Sequence, residues 1–209
     1  MPAILVYLSA TSGRIRRSSL EVLSRCREIA DRDSYAVIAV IADPSAESLS
    51  STAAAYGADR IYAVSDSGFG THINEPLIDL LSKVVAQESP RLIVLAGTEG
   101  GKDVLGALSI RIGAAVLPDV ARFDVRGSTV EATRPVMAAK KLANVQSDAG
   151  CVIVSVRSGS YAAVQRAADG AAAPVEFDYE SVTVRQTMRE LVVAESGSVD
   201  LSEASVVVS

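Results

Sequence analysis

The chain has 209 residues, 49% of them hydrophobic, with 25 acidic against 20 basic side chains and a net charge of −5. That length buries the core of one domain, or of one domain with an appendage, and the mild acidic balance argues against a nucleic-acid backbone or an anionic membrane surface as main partner. Six Tyr, three Phe and no Trp leave an aliphatic core and disfavour base-stacking platforms or aromatic cages.

The opening Met-Pro-Ala-Ile-Leu-Val lacks the basic and long apolar regions of a signal peptide. Ala3 to Leu8 instead reads as a strand buried on both faces. After a polar loop (Ser9 to Arg17), Val22, Leu23, Cys26, Ile29 and Ala30 recur at helical spacing. Tyr35 to Ile41 is a second buried strand. Asp43-Pro44 then offers an N-cap with Pro at the first helical position, and Gly57 a C-terminal cap. Arg60 to Val64 is a third strand. Ile73, Leu77, Leu80, Leu81, Val84 and Val85 make the cleanest amphipathic stripe, which tolerates Pro76 only in its first turn. Arg91 to Ala96 is a fourth strand, and Val104, Leu105, Leu108 and Ile112 mark a helix closing at Gly113.

This alternation predicts a Rossmann-like, doubly wound α/β fold with a mainly parallel sheet. After Val116 the rhythm changes: Val120 to Val125, Thr129 to Pro135, Leu142 to Gln146 and Cys151 to Val156 are strand-like with no helix between them, and Arg126-Gly127-Ser128 reads as a hairpin turn. Antiparallel strands are therefore expected to extend the sheet. Residues 158 to 174, rich in Ala, Gly and Ser, read as a linker or mobile arm, and Tyr179 to Val193 as one more strand. Asp200 to Glu203 carries capping-box chemistry before the apolar Val206 to Val208. Two readings of that triplet stand: a short strand on the domain's own sheet edge, or the preferred one, a boundary with a further domain after it.

Ligands of open α/β sheets sit at the carboxyl ends of strands. The loop after the fourth strand holds the weak anion-site candidates Gly97, Thr98, Gly100, Gly101 and Lys102, because glycine amides, a helix N-terminus and a lysine together attract an anion. It is not a P-loop: Ala96 occupies the first glycine position, Asp103 replaces the Mg²⁺-binding hydroxyl, and Glu99 would repel a phosphate. A structural turn, or a loop packed on another domain, competes with the anion site. The hydroxyl-rich loop Ser9 to Arg14, followed by Arg16 and Arg17, suits an adenosine phosphate or plain solvated-loop chemistry. Gly68-Phe69-Gly70 misses the dinucleotide fingerprint because Ile73 replaces its third glycine, and reads as a flexible connection.

His72 is the single histidine, without metal-ligand spacing and without a G-x-S-x-G elbow to supply a nucleophile, so a helix-cap role is expected. Cys26 lies on an apolar stripe and reads as a small core residue, and with Cys151 far from it and no CxxC pair, a disulfide scaffold or zinc module is disfavoured and a reducing cytoplasm is expected. Asp119, Arg134, Lys140 and Lys141 read as solvated charges or an interface. No apolar run approaches the ~20 residues of a bilayer span. No catalytic constellation emerges, and no metal site is expected.

Several phrases in order carry a resemblance. They are Ala54-Ala55-Tyr56-Gly57-Ala58-Asp59-Arg60-Ile61-Tyr62, Gly97 to Asp103 with a helix ending Arg111-Ile112-Gly113-Ala114, Pro118-Asp119-Val120, Ala132-Thr133-Arg134-Pro135-Val136, and Glu195-Ser196-Gly197 running through Asp200-Leu201 and Glu203-Ala204 into Val206 to Ser209. Over nearly its whole length the sequence resembles the N-terminal domain of the alpha subunit of electron transfer flavoproteins. The resemblance implies an adenine nucleotide alpha hydrolase-like module, residues 1–193, acting as scaffold against a beta subunit. Residues 194–209 would then be the linker and first strand leading to a C-terminal FAD-binding domain. It further implies a heterodimeric electron carrier, not an enzyme, that takes electrons from acyl-CoA-type dehydrogenases of fatty acid beta-oxidation and passes them to a quinone oxidoreductase. FAD would belong to the complete subunit and not to this part alone, and the family's bound AMP to the beta subunit. The chain departs from the family after Val136, where Met137-Ala138-Ala139-Lys140-Lys141 replaces an aromatic and glycines.

The alternative of another class is a stand-alone adenine-nucleotide-binding module resembling universal stress proteins, resting on the loops Ser9 to Arg17 and Gly97 to Asp103. A hydrolase ranks last for want of a nucleophile and base.

Overall fold

The computed structural model describes residues 2–71, 74–166, 172, 174–180, 182, 184–186 and 188–190. The chain begins with β1 (Ala3–Leu8), a miniature hairpin β2 (Ala10–Thr11) and β3 (Arg14–Ile15), then α1 (Arg17–Asp33), β4 (Ala36–Ala42), α2 (Ala46–Ala55) and β5 (Arg60–Val64). Next come the short turn α3 (Gly68–Thr71), α4 (Glu75–Glu88), β6 (Leu92–Ala96) and α5 (Glu99–Ile112). Five strands follow: β7 (Ala115–Val120), β8 (Arg122–Arg126), β9 (Thr129–Val136), β10 (Lys141–Ser147) and β11 (Val152–Val156).

The main sheet has six strands in the order β5-β4-β1-β6-β11-β7, and every pairing in it is parallel. The fold is α/β and Rossmann-like. Side-chain alternation along the strands divides the core in two. Ile4, Val6, Val37, Ala39, Val94 and Val154 face α1 and α2, where Leu23, Cys26 and Ile29 complete one cluster. Leu5, Ile38, Val40, Ile93, Leu95 and Ile153 face α4 and α5, where Leu80, Leu81, Val84 and Leu108 complete the other. Each fully buried Leu, Ile or Val contributes about 1.5–3 kcal/mol of transfer free energy, so this two-sided layer dominates the fold.

The region after α5 differs in detail from the sequence reading. The antiparallel strands form a sheet of their own, β10-β9-β8, beside the parallel one. The stretch read as one strand, Val120 to Val125, is broken at Ala121: Asp119 takes a left-handed φ of 56°, and the register of β7 on β11 shifts there. The Ala121 N–H then donates to Thr133 O at 2.9 Å, which hands the chain to the small sheet. The final strand, β11, returns to lie parallel between β6 and β7. Its five residues are all buried, as a strand covered on both faces requires. The hairpin tip between β9 and β10 holds Met137, Ala138 and Ala139 at φ 52°, 53° and 62°, a conformation that glycine adopts without the Cβ penalty these residues carry.

Local signals were mostly where the sequence places them. Pro76 lies in the first turn of α4, and Gly113 caps α5 in the left-handed region with its N–H on Ser109 O. Helix α2 differs: it starts at Ala46, and Asp43 instead accepts the Ser45 N–H at 2.8 Å in a turn that contains Pro44. Gly68-Phe69-Gly70 is part of a helical turn, with the Gly68 N–H on Asp66 Oδ1 at 2.6 Å.

The segment after β11 is tied to the body at several points. Gly159 N–H donates to Glu21 Oε2 at 2.7 Å, Val164 N–H to Ser24 Oγ at 3.0 Å, and Arg166 reaches Asp31 at 2.8 Å. Pro174 bridges Ile61 on the open edge of β5, and Phe177 packs edge-on against Tyr62 with ring centroids 5.3 Å apart. The described residues between 179 and 190 carry no strand. His72 and Ile73, the capping box at Asp200, Val206 to Val208 and the expected boundary at 193/194 lie outside the described residues.

Candidate functional site

The chain steps outward from β1 to β4 and β5 on one side, then crosses to β6 on the other. Crossovers diverging from neighbouring strands leave a crevice at their carboxyl ends. A cavity of about 570 Å³ opens there, lined by residues that include Tyr7, Ser9, Arg16, Phe69, Leu77 and the Thr98–Gly101 turn.

The β1 side is built by the small hairpin. Ser12 and Gly13 take φ 50° and 70°, the backbone that a two-residue hairpin turn demands. The Arg16 N–H returns to Ser9 O at 2.9 Å, and Ser9 N–H donates to Ser19 Oγ at 3.1 Å. This folding places Arg16 beside Ser9 in the cavity wall. Tyr7 lines the same cavity. Burial pushes its phenol up to about 12, Asp43 adds to the rise and Arg16 opposes it, so at neutral pH the group is a neutral hydroxyl donor.

The β6 side is the glycine loop. Thr98 caps α5 by accepting the Gly101 N–H at 3.2 Å, and its carbonyl accepts the Lys102 N–H at 2.9 Å. Gly97 and Gly101 serve close packing. A Cβ on Gly97 would stand 3.0 Å from Val156 O, and one on Gly101 only 2.2 Å from Ala96 O. Gly100 would meet nothing within 4 Å. Of the five sequence candidates, Thr98, Gly100 and Gly101 line the cavity, whereas Gly97 and Lys102 are absent from its lining. Gly97 is instead bonded to Val156 O at 2.6 Å, and Lys102 lies 3.3 Å from Glu99, whose side chain is 93% exposed.

The structure thus brings together the loop after β1 and the loop after β6. Sequence reasoning missed Tyr7 and Leu77, because apolar and aromatic residues in strand and helix patterns read as core, and Phe69, because its stretch reads as a flexible connection. Phe69 is held by Tyr179, with ring centroids 5.5 Å apart at 26°, and the Tyr179 hydroxyl donates to Pro76 O at 3.1 Å.

A second cavity of about 650 Å³ lies between α1 and the small sheet. There Arg25 sits 5.9 Å and 5.4 Å from the rings of Phe123 and Tyr161, and Asp124 joins Arg25 at 3.4 Å and Arg32 at 2.8 Å. Burial raises the Asp124 carboxyl, but hydrogen bonds from Arg32 and the Val125 N–H outweigh it and hold the group below its usual range. These charges satisfy one another, which reads as a fastening for the small sheet.

Cys26 is fully buried, and burial pushes its thiol far up. Burial also raises Cys151. Neither has the depressed pKa of a reactive cysteine. Among the described residues no cluster of three or more His, Cys, Asp or Glu is placed to hold a metal ion, and no helix is long and apolar enough to cross a membrane. The sequence candidate Asp119 forms an ion pair with Arg157 at 3.1 Å, while Lys140 and Lys141 are exposed at the hairpin.

The first cavity does not match a whole flavin dinucleotide. Its lining offers one arginine, Arg16, alongside the carboxylate of Glu99, and one apolar pair, Phe69 with Leu77, whereas that cofactor carries a pyrophosphate and two separate ring systems.

A family model described as an electron transfer flavoprotein domain matches residues 4–182. The chain is 26% identical over 209 residues to an electron transfer flavoprotein subunit alpha of Syntrophomonas wolfei, covering all of this chain and 65% of the relative. It is 24% identical over 206 residues to the subunit of the same name from Bacillus subtilis, covering 99% of this chain and 63% of that one. Protein FixB of Bradyrhizobium diazoefficiens is 26% identical over 146 residues, 68% of this chain and 40% of that protein. The chain therefore spans somewhat less than two thirds of the length of the alpha subunits it matches.

Proposed function

Since the chain belongs to the electron transfer flavoprotein domain family, we propose that it is the N-terminal scaffold of an alpha subunit that carries electrons without catalysing a reaction of its own. The observation that carries this reading is the collinear similarity to alpha subunits from end to end of the chain. Residues 1–193 form the scaffold, and residues 194–209 lead into a C-terminal domain that holds FAD. The partner is a beta-type subunit. The assembled heterodimer accepts electrons from acyl-CoA-type dehydrogenases and delivers them to a quinone oxidoreductase in the cytoplasm.

The geometry is consistent with a supporting role. The parallel sheet is closed by apolar packing on both faces, and among the described residues β10 is a half-exposed edge strand of the small sheet. Edge strands and hairpins are common sites of subunit contact. The test is co-expression of the tagged chain with a beta-type subunit. A stoichiometric complex that survives size exclusion supports the reading, and recovery of the chain alone refutes it.

A further inference from the structure

Residues 174–180 alternate in burial. Val175, Phe177 and Tyr179 are half-buried, while Pro174, Glu176, Asp178 and Glu180 are exposed. This is the period of an extended chain laid with one face on a surface. Its backbone tie to the sheet is slight. Among the described residues, the open edge of β5 receives one isolated bridge, Pro174 to Ile61, with the Val175 N–H on Ile61 O at 2.7 Å. Pro174 has no N–H of its own to extend the pairing.

Side chains hold the rest of the strap. Phe177 packs edge-on against Tyr62, with ring centroids 5.3 Å apart. Tyr179 stacks on Phe69, and its ring centroid lies 4.9 Å from Lys83 Nζ. Its hydroxyl donates to Pro76 O at 3.1 Å, and Lys83 Nζ donates to Glu180 O at 3.0 Å. At the far end Glu75, in the first turn of α4, accepts three donors. Its Oε1 takes the Arg185 Nε–H at 2.8 Å, and its Oε2 takes the backbone N–H groups of Arg185 at 2.6 Å and Gln186 at 3.4 Å. The Glu75 side chain is 23% exposed and that of Arg185 88%, so the carboxylate belongs to the body and the guanidinium lies outside it. Two of the three donors are backbone amides, which any residue at 185 would supply.

We propose that the strap from Pro174 to Gln186 is a detachable latch that closes over the open edge of β5 and opens as a unit while the rest of the fold stays intact, with Glu75 as its catch. A segment held by a few part-exposed side chains and little backbone pairing opens at a fraction of the free energy of global unfolding. Closed, the latch covers an edge strand that would otherwise template pairing with another chain, and shields the ring of Tyr62, which is fully buried. The latch is internal to this chain and does not rest on the scaffold reading.

Hydrogen exchange on the 209-residue chain, with trypsin cleavage after Arg185 as a second readout, tests it. Relative to intrinsic rates, the strap should exchange at least about tenfold faster than β1 and β6, and at least about tenfold slower than an unstructured peptide. Glu75→Ala should speed exchange through the whole strap, back to Val175, and cleavage after Arg185 by at least about fivefold, with β1 and β6 unchanged. Tyr179→Ala, which leaves α4 itself unaltered, should open the same stretch. Arg185→Ala should have less than about half the effect of Glu75→Ala, because the backbone amides stay on the carboxylate. A strap that exchanges together with β1 and β6 is part of the core, and one already at the unstructured rate is a tail. Either result overturns the latch, as do a Glu75→Ala effect confined to residues near 185 and equal effects of Arg185→Ala and Glu75→Ala.

Discussion

The two larger sheets among the described residues obey different rules although one chain builds both. The parallel sheet is covered by helices on each face, and its central strands β1, β4, β6 and β11 are almost continuously buried. In the antiparallel sheet burial alternates: Phe123, Val125, Val130 and Ala132 face the core, while the residues between them are partly or fully exposed. One sheet is held by hydrophobic burial on two sides. The other rests a single apolar face on α1 and is pinned by Arg25, Arg32 and Asp124. The lesson is that a strand's burial pattern, more than its neighbours in sequence, tells which sheet it joins.

The sharpest way to break this contrast is a charge in the parallel sheet. Val154→Asp places a carboxylate at a fully buried position with no compensating partner. It should cost about 4–5 kcal/mol or more, seen in urea denaturation as loss of the cooperative transition at moderate denaturant. A shift of less than about 1 kcal/mol would mean that the centre of the sheet is not closed to solvent.

A smaller effect tests the junction of β6 with α5. Gly101→Ala drives a Cβ into Ala96 O and should destabilise by about 1–3 kcal/mol. Gly100→Ala, one residue earlier and open, should instead gain up to about 1 kcal/mol from helix propensity. Opposite signs for these neighbours in thermal unfolding confirm the geometry, and equal signs contradict it.

In the small sheet the expected changes are smaller. Ala138→Gly relieves a left-handed alanine and should raise stability by up to about 1 kcal/mol, measured by chemical denaturation. Asp124 tests the fastening. Its folded pKa is depressed, so its contribution is present above the ordinary carboxylate pKa of about 3.9 and is lost as pH falls through the lower folded value. Asp124→Asn should cost no more than about 1 kcal/mol at pH 7, because the pair is part-exposed, and should flatten the acid limb of the stability profile below about pH 4. An unchanged acid limb would remove the pair from the account.

Much of this was legible from sequence. Runs such as Ala3 to Leu8 and Tyr35 to Ile41 announce strands buried on both faces, and the Leu77 to Val85 stripe announces α4 with Pro76 in its first turn. Cys151 to Val156 carried the same signature, but its position after three antiparallel strands masked it; only the crossing back into the sheet reveals its parallel partners. The candidate site was half legible. Thr98, Gly100 and Gly101 stood out as a helix-opening turn, whereas Tyr7 looked like core and Phe69 like part of a flexible connection, and the pairing of Lys102 with Glu99 depends on side-chain directions that no spacing fixes. The segment from Gly159 to Arg166 read as a linker because its ties to Glu21, Ser24 and Asp31 cross more than 130 residues of sequence.

The scaffold role is tested most directly by the mass and flavin content of the complex formed when this chain is co-expressed with a beta-type subunit and the flavin domain of an alpha subunit. The account predicts a single yellow species that contains each component once and dissociates when this chain is left out. A flavin-loaded species that assembles without the chain, while the chain elutes by itself, would contradict it.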